Sequence, residues 1–168
     1  DAWSAVLTIS IDDARSVMST TASSDASAWL PSSHEAYLAP MLEDVDKIAV
    51  IYEPYCIWGV PDYVPQSAVA SVTDLLREPA LSKMELIIQG INPGAGISRF
   101  SAEVIKQYGL DAAGYVFRTG SEADCFDRYE AAVAQERWVV LPLWHPQFLH
   151  HRYRIRALKE PKGLLGTQ

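Results

Sequence analysis

The sequence has no apolar run near the roughly 20 residues that a membrane-spanning helix needs. Its first residues, Asp1-Ala2-Trp3, offer neither a basic start nor a long apolar core, so no signal peptide is read there. The expectation is a cytosolic chain, or one whose targeting segment lies outside this sequence. Basic residues are in deficit: 14 Lys and Arg stand against 21 Asp and Glu, for a net charge of -7. Duplex binding and binding to an anionic membrane surface both need clustered Lys and Arg, so this balance argues against either. Cysteine is scarce. Cys56 and Cys125 fit a single disulfide or two buried thiols equally well, and they do not assign a compartment. No Gly-x-Ser-x-Gly elbow and no Cys/His pair in a recognisable motif context is present, and no Gly-Lys-Ser/Thr completes a phosphate loop. No catalytic constellation is therefore read, and the chain is not expected to be an enzyme.

What is present is ordinary globular material: 168 residues, 49% hydrophobic and 21% charged, enough for one domain or two small lobes. A polar stretch rich in Ser, Thr and Ala covers residues 19–27. Strand patterns fall at 47–52, 56–60, 86–91, 115–118 and 138–143, with Glu53-Pro54 separating the first two. Helical patterns fall at 69–76, 98–108 and 121–135, with Gly109 placed to end the second and Ser121 to cap the third. This alternation predicts an α/β fold with a largely parallel sheet. Ligands in such sheets sit beyond the carboxyl ends of the strands, where residues 92–97 and 144–148 would open onto one crevice.

Both segments carry unusual residues. Gly90-Ile91-Asn92-Pro93-Gly94-Ala95-Gly96-Ile97 runs straight into a helix. Its glycines let backbone approach a ligand, and a helix start favours an anionic group. The same string also serves as a plain tight turn. Trp144-His145-Pro146-Gln147-Phe148 follows a strand, and Trp144 can offer a π face to a cation or simply fill a core. A third motif, Ala28-Trp29-Leu30-Pro31-Ser32-Ser33-His34, places Trp29 before a proline, with His34 read as a capping or packing residue. His145, His150 and His151 match no standard zinc spacing, so no metal site is expected. Arg152, Arg154 and Arg156 alternate as on a strand with one solvated face.

The order of Trp-Leu-Pro-Ser-Ser-His from Trp29, Val60-Pro61-Asp62-Tyr63-Val64, Gly-Ile-Asn-Pro-Gly-Ala-Gly-Ile from Gly90, Leu-Trp-His-Pro from Leu143, and Leu158-Lys159-Glu160-Pro161-Lys162-Gly163 resembles the substrate-binding proteins of glycine betaine/proline betaine ABC importers. The resemblance covers residues 25–168. It implies an α/β, two-lobed periplasmic-binding-protein fold of the type II, Venus-flytrap kind. The implied function is binding of glycine betaine or a related quaternary ammonium compound (carnitine, choline, proline betaine) in an interlobe aromatic cleft, with a membrane permease as partner. It implies a periplasmic or cell-surface location and no cofactor. A ligand-sensing domain of the same fold in a regulatory protein is the alternative.

Carried over residue by residue, Trp29 and Trp144 are ring walls around the ammonium. Gly96 and Ile97 supply backbone N–H groups to the carboxylate, and Ala95 and His145 complete the ligand-binding set. Two positions depart from the family pattern. Ala95 stands where the well-known betaine binders carry Trp, and His145 where Thr or Ser is frequent. The family is also longer than this chain, so the first lobe is expected to be incomplete. The expected division is residues 1–58 as a partial first lobe, 59–146 as a second α/β lobe, and 147–168 as a segment returning toward the first.

Overall fold

The structure is a computed structural model. It describes residues 53–166 without interruption and, before them, residues 5–9, 25–28, 34, 38–41 and 45–49. The chain divides into two compact units, Asp1–Pro54 and Tyr55–Gln168.

In the first unit, β1 (Ala5–Ile9) lies between β2 (Asp25–Ala28) and β3 (Val45–Ala49), antiparallel to both. The strand expected at 47–52 is thus found as β3, and residues 50–52 lie outside the described set. Ala28 and Leu38 are buried. The His34 carbonyl accepts the Leu38 N–H at 3.1 Å, the turn that leads into a short 3₁₀ helix, Ala39–Met41.

The second unit is built around β4 (Tyr55–Pro61). β7 (Leu141–His145) and β8 (Ile155–Ala157) flank it, both antiparallel to it. β5 (Ile87–Gln89) and β6 (Val116–Arg118) form a parallel pair. A parallel bridge joins Met84, just before β5, to Trp138, just before β7. The largely parallel sheet read from the sequence is therefore corrected: strand pairing is mixed, and every ladder on β4 is antiparallel. The reason is physical. A helix crossing over between neighbouring strands makes them parallel, and this occurs where α2 (Gly96–Tyr108) joins β5 to β6. β4 precedes that crossover and pairs with strands from late in the chain, so no local pattern sets its direction.

The helices bury one face each. α2 buries Ile97, Ser98, Ser101, Val104 and Ile105, an i, i+3, i+4 stripe, and ends at Gly109, whose φ of 67° needs no Cβ penalty. α3 (Glu122–Ala134) opens with a capping box: the Ser121 hydroxyl accepts the Asp124 N–H at 3.0 Å, and the Asp124 carboxylate accepts the Ser121 N–H at 2.7 Å. The hydrogen bonds that the Asp124 carboxylate accepts from the Ser121 N–H and hydroxyl hold it below the usual carboxylate range. Two short helices, α1 (Ala80–Lys83) and α4 (Leu149–Arg152), complete the unit, with a 3₁₀ helix, Val72–Leu76, where a longer helix was expected. The strand read into 152–156 begins only at Ile155, because α4 and Tyr153 occupy the turn before it. The core gathers Trp58, Val60, Leu75, Ile88, Tyr115 and Leu143. No helix among the described residues is long and apolar enough to cross a membrane.

Trp58 is fully buried, and its indole N–H donates to the buried Ser101 hydroxyl at 2.8 Å, tying β4 to α2. Trp58→Phe removes both volume and the donor, and is expected to cost on the order of 2–3 kcal/mol. Ser121→Ala removes the cap and is expected to cost about 1 kcal/mol. Urea denaturation of the two variants checks the order; equal losses would contradict it.

Candidate ligand-binding site

β5 runs out through Gly90 into the loop that starts α2. The Gly90 N–H donates to the Arg118 carbonyl at 2.7 Å, continuing the pairing with β6 by one residue. A Cβ at Gly90 would lie 2.3 Å from the Phe117 ring, so only glycine fits against that ring without movement. Beyond it, the Ser98 hydroxyl donates to the Ile91 carbonyl at 3.0 Å. The Ala95 N–H is shared between the Asn92 side-chain oxygen at 3.0 Å and the Asn92 carbonyl at 3.2 Å. Arg99 reaches back to the Gly94 carbonyl at 3.1 Å. These bonds fold 92–97 into one fixed turn.

Ala95 is the N-cap of α2, in extended conformation, and provides no side-chain cap. Gly96, Ile97 and Ser98 form the first turn, and all three are buried. The N–H groups of a first turn point along the helix axis, and the helix dipole makes that end attractive to an anion. Ala95 is half-buried, with no bulk to offer a ligand.

The second segment leaves β7. Trp144 is half-buried and packs on Phe126 of α3, ring centroids 6.1 Å apart. Phe126 also meets Phe148 edge to face at 5.6 Å, and Phe148 keeps 52% of its surface exposed. Successive residues of a strand face opposite sides. Accordingly Trp144 pairs across the ladder with Cys56, whereas His145 pairs with Tyr55 and stacks on its ring at 5.0 Å and 8°. His145 also approaches the His150 ring at 5.2 Å. Trp144 and His145 therefore belong to separate ring clusters. Phe126, Tyr55 and His150 were not singled out as site neighbours from the sequence, because contacts across a sheet and onto a helix leave no local pattern.

The two segments follow strands that run the same way, although β5 and β7 belong to separate hydrogen-bonded sheets. Met84 and Trp138 pair in parallel at the start of their strands. Further along, the Cys125 thiol donates to the carbonyl of Gln89, the last residue of β5, at 3.1 Å and reaches that of Pro142, the second residue of β7, at 4.0 Å. The Gly120 N–H donates to the Ile91 carbonyl at 3.2 Å, bringing the β6–α3 loop beside the segment that follows β5. Trp29 lies outside the described residues. Tyr63 is engaged elsewhere: its hydroxyl donates to the Arg137 carbonyl at 2.7 Å.

Both cysteines are free thiols, and burial pushes each up to about 12, which leaves no nucleophilic thiolate at neutral pH. Among the described residues no group of three or more His, Cys, Asp or Glu side chains is arranged to hold a metal.

Comparison with known proteins gives a consistent result. The model of a family described as the substrate binding domain of ABC-type glycine betaine transport system matches residues 23–168. The glycine betaine/carnitine transport binding protein GbuC of Listeria monocytogenes is 30% identical over 80 residues, 48% of this chain and 27% of that protein. The crystal structure of the glycine/betaine/L-proline-binding protein ProX of Borrelia burgdorferi superposes with a TM-score of 0.68 at 25% identity, covering 83% of this chain and 51% of that one. Lactococcal OpuAC, closed on glycine betaine, gives 0.66 at 26% identity, with 83% and 52% covered. A choline-binding protein of an ABC transporter shares the fold at 17% identity, with a TM-score of 0.61 and coverage of 83% and 48%. These neighbours are two-lobed periplasmic binding proteins, the fold class read from the sequence. The chain spans about half the length of the solved relatives and about a quarter of the curated one.

Gly90→Ala forces the Phe117 ring or the loop to shift, with an expected cost on the order of 1–3 kcal/mol. Asn92→Ala frees the Ala95 N–H from its side-chain acceptor, with an expected cost of about 1 kcal/mol. Thermal melting and amide hydrogen exchange at Ala95 and Gly96 check both. Unchanged protection in Asn92→Ala would show that the turn does not depend on that side chain.

Proposed function

Because the chain belongs to the family of substrate-binding domains of ABC-type glycine betaine transport systems, we propose that it binds a quaternary ammonium solute for an ABC importer. The solute class is glycine betaine and its relatives carnitine, choline and proline betaine. The permease of the importer is the proposed partner, and the periplasm or cell surface the proposed location. The observation that carries the reading is the family match over residues 23–168, and two features of the second unit support it. One is the half-buried Trp144 ring at the end of β7; the other is the Ala95-Gly96-Ile97 start of α2, beyond the end of β5.

A quaternary ammonium cannot donate a hydrogen bond, so it is held by ring faces and dispersion; its carboxylate needs N–H donors. In this reading Trp144 supplies one ring, and the resemblance assigns Trp29 a second. The Ile97 N–H and the positive end of α2 take the carboxylate, and Gly96 permits its close approach. Ala95 lines the ammonium side; the resemblance also includes His145, whose ring stacks on Tyr55 apart from the Trp144 cluster.

Thermal-shift screening of the full-length protein against the four solutes tests the reading. A ligand that binds only the folded form raises Tm, and no shift with any of them would sink the proposal. Trp29→Ala and Trp144→Ala are each expected to weaken binding by about 1–2 kcal/mol, roughly tenfold in Kd, by calorimetry.

Ala95 leaves open the side that an indole closes in the well-known betaine binders. Preference is therefore expected to lie with the bulkier carnitine or proline betaine. Ala95→Trp is expected to tighten glycine betaine and reject the bulkier solutes. A wild type that prefers glycine betaine, with an Ala95→Trp variant impaired toward the whole panel, would refute the enlarged pocket.

A further inference from the structure

His145 and His150 match no standard zinc spacing along the chain, but the turn from β7 into α4 brings their rings together. The ring centroids lie 5.2 Å apart, with the planes inclined at 51°. His145 is the last residue of β7 and is exposed; His150 is the second residue of α4 and is half-buried. The His150 Nε2 atom is buried and has no hydrogen-bond partner. Leaving a buried polar atom unpaired is costly, so this nitrogen calls for a partner that the chain does not supply.

We propose that His145 and His150 form a two-imidazole site for a divalent transition-metal ion of the zinc, copper or nickel kind. The first reason is the ring spacing. Metal–nitrogen bonds of about 2.0–2.1 Å at a tetrahedral angle set the centroids of two ligating imidazoles about 5 Å apart. The observed 5.2 Å falls at that spacing, so the backbone already holds the pair at chelating distance.

The second reason is preorganisation. The Tyr55 ring stacks on His145 at 5.0 Å and 8°, which limits the orientations open to the exposed imidazole. On the other side, the His150 N–H donates to the Gln147 carbonyl at 3.1 Å and closes the turn that presents the second ring. Burial, and then the His145 imidazole, hold His150 below the usual histidine value, and a neutral imidazole is the form that ligates a metal.

Imidazole nitrogen suits zinc, copper and nickel, whereas magnesium and calcium take oxygen ligands. Among the described residues no third His, Cys, Asp or Glu completes the set, so water fills the remaining positions and binding is weaker than at a four-ligand structural site. His151 follows on α4 and projects about 100° further round the helix. A bound ion would tie the end of β7 to α4 across the turn that carries Phe148. The Trp144 ring belongs to a separate cluster on Phe126, so metal binding here is independent of what that ring holds.

The test is calorimetric titration of zinc chloride into the untagged full-length protein at pH 7.5, with Tm recorded with and without the metal. The wild type is expected to take up zinc and to melt higher in its presence, since a ligand of the folded form stabilises it. His145→Ala and His150→Ala are each expected to weaken zinc binding roughly tenfold or more. The double variant should lose it, and His151→Ala should leave it unchanged. Copper(II) on the wild type should show imidazole nitrogen coupling by electron paramagnetic resonance, absent from the double variant. His145→Ala alters an exposed side chain, so the comparison holds even where His150→Ala does not fold. No zinc binding by the wild type, equal binding by the double variant, or loss of binding in His151→Ala would overturn the inference.

Discussion

The hydrogen bond from the buried Trp58 indole to the Ser101 hydroxyl is the contact on which the second unit turns. It fixes α2 against β4, the strand that carries β7 on one side and β8 on the other. With α2 fixed, its first turn has a set direction, and the 92–97 loop has one place to end. With β4 fixed, the register Cys56↔Trp144 sends the Trp144 ring to the helix-covered face and the His145 ring to the other. One polar pair in an apolar core thus orients both halves of the proposed site. Removing either partner would leave a buried group unsatisfied, which is why the pair also selects a single packing.

The Cys125 thiol has a comparable role at lower strength. It sits on α3, between the carbonyls of Gln89 and Pro142, and so links two strands that are far apart in sequence. Its value is geometric. A thiol is a weak donor, and a neutral one inside a core behaves mostly as a small apolar group. The burial that suppresses its ionisation also suits it to line a dry strand end. Chemistry at this cysteine would need a thiolate that the surroundings do not stabilise.

Much of this was legible in the sequence where local physics decides. Gly109 ends α2 because a left-handed residue is needed there, and Ser121 starts α3 because its hydroxyl and Asp124 cap each other. Both follow from side-chain chemistry within four residues. The crossover from β5 through α2 to β6 follows from period and length. Strand direction around β4 was not legible, because its partners lie some 80 to 100 residues away in the chain and pairing leaves no periodic mark. For the same reason the sequence set Trp144 and His145 side by side as one pair, whereas the pleat and the Tyr55 stack part them. The units divide after Pro54, which keeps the whole of β4 with the strands that pair with it.

The two long helices of the second unit are each 13 residues, and they begin in opposite ways. α3 has the strongest start that side chains can give, a reciprocal box of Ser121 and Asp124. α2 begins at Ala95, which has no acceptor to place over its first turn. An alanine at that position forgoes about 1 kcal/mol relative to Ser or Asp. The Asn92 carboxamide does not make up the difference, since it takes the N–H of Ala95 itself and so fixes the loop ahead of the helix. An Asp or Ser at Ala95 would set an oxygen over the helix end, the place a ligand carboxylate would occupy, and would compete with it. A residue with neither acceptor nor bulk is thus locally unfavourable for the helix and favourable for an anion approaching its end. Such departures from local preference are expected at functional positions more than elsewhere in a fold.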